Sequence, residues 1–316
     1  MTGSQTIVVD YKALPKIELH AHLSGSISRQ CLHEIWVMKK AAGETSLQDR
    51  PFFPLFSSYI YNLINDAATL RYATLSVLRD FAADGVVYLE LRTAPRAMPG
   101  AGLTGRLRPD HSGHHRRIDR RHTPTQASQV LLLAKHFLGR GVVGIDLGGN
   151  PAVPLHPAVG LIFEEARRVP GMGMMLHFAE AECSASDAEL DMLLGWRPER
   201  IGHVIHVSDR VKRNIVRRPG IGLELCLSCN VHAGMIHGGF ESHHFAEWWK
   251  VEETVVVLST DDVGVFGSPL SNEYALVARH FGLNHAEICA LVRKGVDVIF
   301  GGEEEKRRLR SILCMQ

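Results

Sequence analysis

The sequence predicts a (β/α)8 barrel of the α/β class, and three observations carry that prediction. Short apolar runs ending in polar or glycine-rich turns recur along the chain, stretches of amphipathic helical length separate them, and side chains capable of chemistry collect where the runs end. Near-continuous apolar strands belong to a sheet covered on both faces. Strand and helix in alternation imply parallel pairing, and this many repeats favours closure into a barrel. The 316 residues suffice for eight βα units, which take roughly 250, so residues 1–316 are read as one domain.

The elements follow in order. The first strand is 17–22 (IELHAH); a helix at 66–83 leads to a strand at 86–92 (VVYLELR). A helix at 127–139 precedes a strand at 142–149 (VVGIDLGG), and a helix at 157–169 precedes one at 172–177 (MGMMLH). Strands at 201–206 (IGHVIH), 221–230 (IGLELCLSCN) and 255–262 (VVVLSTDD) complete the series, with terminal helices at 284–299 and 303–313. The third barrel strand belongs between 97 and 121, where the chain reads AMPGAGLTGRLRPDHSGHHRRIDRR. Glycine, proline and basic residues dominate there, only 118–119 hint at a strand, and the composition predicts an irregular, solvated loop. His111, His114 and His115 are expected to be exposed on it.

Composition excludes several classes of function. With 22% charged residues and a formal net charge of +1, no overall field favours nucleic acid or an anionic membrane. No apolar run approaches the roughly 20 residues needed to span a bilayer. Residues 1–15 lack a basic start followed by an apolar stretch, so no secretory signal is expected and the chain is read as cytosolic. Six scattered cysteines fit reduced thiols rather than a disulfide framework. Cys226 and Cys229, read as lying on a strand, would face opposite ways and are expected to be buried thiols.

The 18 histidines are more informative. His20 and His22 end the first strand two residues apart, so both imidazoles point to one side and can grip one divalent ion. His177 at the end of MGMMLH can add a third nitrogen. Glu180, three residues on, can reach a substrate without being a ligand. After VVVLST, adjacent Asp261 and Asp262 diverge, so one can bind metal while the other faces substrate. His203 ends another strand and titrates near neutral pH. His20, His22, Arg92, Asp146, His177, His203, Asn230, Asp261 and Asp262 all fall at C-terminal strand ends, the face on which barrels of this class assemble active sites.

Taken together, LPKIELHAHLSGS, LELRTAPR, IDLGGNP, LHFAE, RIGH, LELCLSCN and STDD resemble the adenosine deaminase superfamily. More narrowly they resemble its adenosine deaminase-like branch, whose members hydrolyse N6-methyl-AMP and related N6-substituted AMPs to IMP. The likeness runs from about residue 14 to the end and is interrupted at 97–121, where the family's helix and third strand are expected to be truncated or replaced. The resemblance implies that His20, His22, His177 and Asp261 hold one zinc ion. It implies that Glu180 protonates the purine N1, that His203 handles the proton of the attacking water and stabilises developing charge, and that Asp262 orients the nucleophile. Substrate contacts are implied at His22, Ser24, Asp119, Gly149 and Asp262. Thr93, Ala94, Pro95 and Arg96 would lie beside a phosphate, with Arg96 as its guanidinium partner. The implied partner is a small purine nucleotide or nucleoside, met by a monomer.

Three functions compete on these residues. The first is a deaminase of N6-substituted AMP, which Thr93 and Arg96 favour. The second is a deaminase of adenosine or adenine. The third is a purine-binding protein without catalysis, suggested by the departure before Asp119.

Overall fold

The computed structural model describes residues 9–43, 59–95 and 112–313. Eight strands pair in parallel in chain order: β1 (Lys16–His22), β2 (Val86–Thr93), β3 (Ser112–Asp119), β4 (Val142–Gly148), β5 (Gly173–Phe178), β6 (Arg200–His203), β7 (Ile221–Leu225) and β8 (Thr254–Leu258). Beyond β8 the Asp261 amide donates to the His20 carbonyl at 2.9 Å, and the His22 amide donates to the Asp261 carbonyl at 3.0 Å. The ladder thus returns to β1, and the barrel closes.

Helices cover the outside, and their starts are written in the sequence. Asp66 accepts from the Thr69 amide at 2.8 Å to open Ala67–Ala83. Thr123 and Gln126 form a reciprocal capping box, with Pro124 at the first position of Pro124–Phe137, where its missing N–H costs nothing. Ser186 and Ser208 cap Asp187–Gly195 and Asp209–Val216, each hydroxyl accepting from the amide three residues on. Outward strand residues such as Leu19, Ile145, Leu147, Leu176, Ile201 and Leu223 are fully buried against these helices. The apolar shell lies between strands and helices, which leaves the barrel interior free for polar side chains.

Strand alternation decides what enters that interior. Glu18, His20 and His22 of β1 lie between the apolar Ile17, Leu19 and Ala21. The lower interior is a stack of fully buried charges: Arg200 pairs with Glu90 and, at 2.6 Å, with Glu224, while Arg92 pairs with Glu224 and, at 3.0 Å, with Asp146. Phe300 closes the floor, its ring centroid 3.7 Å from the Arg200 guanidinium.

From Ser112 on, the structure corrects the reading of 97–121 as an irregular, solvated segment with a defective third strand. Ser112–Asp119 is β3, in register with 89–93 of β2 and with 142–148 of β4. His114 and His115 are buried, and His115 Nε2 lies 2.7 Å from Glu90 Oε2. Strand pairing uses backbone groups that every residue carries, and without it β2 and β4 would leave unpaired edges inside a covered barrel. Tertiary demand overrides composition here. His111 and the rest of 96–111 lie outside the described residues. A second correction concerns 221–230: the strand ends at Leu225, and Leu227–His232 is a helical turn. Likewise β6 stops at His203, because His203 and Val204 take positive φ (67° and 58°) and turn the chain.

Candidate metal centre and substrate face

Five side chains from four strand ends converge at the C-terminal mouth of the barrel. His22 Nε2 lies 3.1 Å from His177 Nε2 and 3.2 Å from Asp261 Oδ1, and His20 Nε2 lies 3.2 Å from His177 Nε2. His203 stands slightly further out, its Nε2 4.0 Å from both Asp261 Oδ2 and Glu180 Oε1. Ligand atoms of His20, His177, His203 and Asp261 all fall within 4.8 Å of one another. Ala179, His203, Val204 and Asp261 hold positive φ, four of the five such non-glycine residues described. Backbone strain of this kind concentrates where side chains must be aimed rather than packed.

A second layer fixes which ring atom faces the centre. His20 Nδ1 is 2.8 Å from Glu224 Oε2, a carboxylate that can only accept, so Nδ1 carries the proton and Nε2 offers a lone pair. His177 Nδ1 donates to the Leu147 carbonyl at 2.7 Å and lies 3.2 Å from Asp146 Oδ1. Arg92 ties Glu224 and Asp146 together from below. The bare lone pairs of His20 Nε2 and His177 Nε2, 3.2 Å apart, repel unless a cation lies between them, so the donor set fits a metal. Three imidazoles and a carboxylate suit zinc. His203 is aimed differently. Its Nδ1 accepts from Asn230 Nδ2 at 3.1 Å, and Asn230 Oδ1 is 3.3 Å from His243 Nε2. The proton therefore sits on His203 Nε2, a buried atom that bonds to no other protein group.

Electrostatics sorts the acids from the bases. Burial lowers the pKa of His22 to about 4 and of His203 to about 3. Burial lowers His177 too, but the Asp146 carboxylate outweighs it and the net shift is upward. Asp261 is held well below the usual carboxylate range, its burial overcome by His22. Burial pushes Glu180 up to about 7, with the Asp261 charge adding to it. Burial and then Asp261 push Asp262 far up. Within one small mouth a carboxyl that stays ionised faces two that favour the protonated form, the separation that acid–base chemistry requires.

The remaining expected substrate residues surround this mouth. Ser24 is half-buried in the short helix Leu23–Ser26 directly after β1. Asp262 packs on Gly25, where a Cβ would lie 1.5 Å from its Oδ1. Thr93, Ala94 and Pro95 are half-buried at the end of β2, and Thr93 Oγ1 receives Arg116 Nη1 at 3.1 Å. Arg96 lies outside the described residues. Gly149 has φ 102°, and a Cβ there would meet the Asp119 carboxylate at 2.7 Å. Asp119 is buried, and its carboxylate is held by both the Nε and Nη2 of Arg121 at 2.8 Å.

Glu224 escapes a reading of the sequence, and Arg92 and Asp146, expected at the active face, carry no expected role there. All three orient the imidazoles; a charge inside an apolar strand (LEL, IDL) was the available signal. Cys229 donates to Asp261 Oδ2 at 2.9 Å, a contact that a strand at 226–230 would not make. Arg117 also enters the mouth, with Nη1 3.2 Å from His22 Nδ1.

Known proteins resemble this chain over most of its length. The sequence model of the family described as adenosine deaminase matches residues 115–315. A Xenopus laevis protein named N6-Methyl-AMP deaminase-L is 33% identical over 95% of this chain and 93% of its own length. The crystal structure of the Arabidopsis N6-mAMP deaminase superposes with a TM-score of 0.84 at 32% identity, covering 96% of this chain and 98% of that one. Arabidopsis ADAL complexed with IMP superposes with a TM-score of 0.84 at 32% identity, covering 96% of each chain.

Proposed function

This chain belongs to the adenosine deaminase family, and on that premise we propose that it hydrolyses N6-substituted AMP at purine C6, turning N6-methyl-AMP and water into IMP and methylamine. The observation that carries the reading is the convergence of three imidazole Nε2 atoms and Asp261 beside a carboxyl, Glu180, whose pKa is raised to about 7. The relatives' names and the IMP complex favour a nucleotide over a nucleoside.

In this reading His20, His22, His177 and Asp261 hold one zinc ion. His22 is preferred to His203 because its Nε2 is nearer the other donors and the Nε2 of His203 carries a proton. When bound, the ion lowers the pKa of a coordinated water to near 7. Asp262 orients the attacking water and contacts the ring. As the water oxygen bonds to C6, electrons move onto N1, and Glu180 supplies the proton that N1 takes. His203, whose Nε2 already carries a proton, donates to the attacking oxygen and stabilises the charge that develops there, and the two protons the water gives up end on N1, by way of Glu180, and on the departing amine. The C6–N6 bond then breaks, and methylamine leaves with a proton. His22, Ser24, Asp119 and Gly149 bound the pocket, while Thr93, Ala94, Pro95 and Arg96 face the phosphate. All the converging groups come from one chain, so a monomer completes the site. Among the described residues no helix is long and apolar enough to cross a membrane, in keeping with the cytosolic location we propose.

A zinc-loaded preparation assayed against N6-methyl-AMP, AMP, adenosine and adenine, with products identified by chromatography, tests the proposal. IMP released fastest from N6-methyl-AMP is the expected result. Preference for adenosine would overturn the nucleotide reading, and turnover of none of the four would overturn the deaminase reading.

A further inference from the structure

Arg117 stands in the mouth without a role in the chemistry above. It is on β3, two residues before Asp119, so both side chains leave the strand on the same side. Its aliphatic stem lies over the β4 end, where a Cβ at Gly148 would meet its Cδ at 2.9 Å and the His177 ring at 3.0 Å. Its Nη1 is 3.2 Å from His22 Nδ1, its Nη2 is 3.9 Å from Asp119 Oδ2, and its Nε is buried without a partner.

The contact with His22 sets a chemical conflict. A guanidinium has donors only, so the ring nitrogen that faces it must accept. A neutral imidazole that accepts at Nδ1 carries its proton at Nε2, the atom directed at His177 and Asp261. His20 and His177 are held the opposite way, by acceptors at Nδ1 that leave Nε2 bare. Of the three imidazoles assigned to the metal, His22 alone has a donor where a ligand needs an acceptor.

Resting on the metal reading above, we propose that Arg117 is a positioning residue that weakens metal binding, because it holds His22 in the tautomer that cannot ligate. Metal binding then requires the guanidinium to turn from His22 to Asp119, whose ionised carboxylate has lone pairs left beyond those that Arg121 uses.

The test is a competition titration of zinc against a chromogenic chelator at fixed pH, on the parent and on Arg117→Gln, Arg117→Ala and Arg117→Lys. Gln can turn its carbonyl to a protonated Nδ1 and Ala imposes nothing, so both should bind zinc tighter, on the order of 10-fold to 100-fold, the range that outer partners of ligands command. Lys keeps a donor and should stay near the parent. In a His22→Ala background, Arg117→Gln should change nothing. Mere structural damage would weaken binding, so the direction separates the two causes. Equal or weaker zinc binding by Arg117→Gln, Lys as tight as Gln, or a gain that survives His22→Ala would each overturn the proposal. If affinity does not vary while the parent still turns over N6-methyl-AMP, the function stands and this inference falls. Folded protein that binds no zinc in any variant removes both.

Discussion

Glu180 sits where burial and a neighbouring carboxylate, Asp261, both oppose its ionisation, and its raised pKa of about 7 makes it a proton donor at neutral pH. Glu180→Gln should keep its zinc and lose turnover by at least the 10²- to 10⁴-fold typical of a general acid, measured as kcat beside metal content. Because the role we propose for Glu180 uses its protonated form, kcat of the parent should fall as pH rises through about 7. Any residual rate of Glu180→Gln should lack that limb. Outer partners should show in metal affinity instead: Glu224→Ala removes the acceptor that bares His20 Nε2 and should weaken zinc on the order of 10-fold to 100-fold. At this scale the sequence revealed the residues that converge at the mouth, since HxH, HFAE and STDD lie at strand ends. It did not reveal Glu224, Asp146 and Arg117 as partners, because a linear pattern shows which face a side chain takes but not which ring atom it touches.

Elements were legible wherever apolar alternation was intact. Seven strands were expected close to where they lie, and β3 was not, because SGHHRRID carries almost no apolar signal and its place is dictated by the open edges of β2 and β4. The turn at 227–232 was missed for the opposite reason: LCLSC reads as strand, yet the chain must fold over there to bring Cys229 to Asp261. Gly149, directly after β4, shows what such junctions require. Its φ of 102° and the Asp119 carboxylate 2.7 Å from any Cβ leave no place for a side chain. Gly149→Ala should cost about 1–3 kcal/mol of stability, read by denaturant unfolding, and should raise KM by displacing Asp119.

For the whole molecule the unusual feature is a barrel interior built from charge. Arg200 is fully buried between Glu90 and Glu224. Arg200→Met would leave two buried carboxylates without their cation and should destabilise by about 3–5 kcal/mol. Glu18 and Glu273 are buried acids pushed up to about 7. With folded-state values above the ordinary 4.5, the folded protein binds more protons than the unfolded chain between those limits, so this part of the stability is lost as pH rises through 7. Glu18→Gln, which leaves no proton to lose, should flatten the fall in melting temperature between pH of about 5 and 8. The stack also serves the mouth above it, since Arg92 and Glu224 pass its order on to His20. X-ray absorption of the zinc-loaded protein tests that arrangement most directly. The account predicts only nitrogen and oxygen around the metal, at about 2.0–2.1 Å, with three imidazoles among them. A sulfur neighbour at about 2.3 Å, recruiting Cys229 or Cys226, or fewer than three imidazoles, would contradict it.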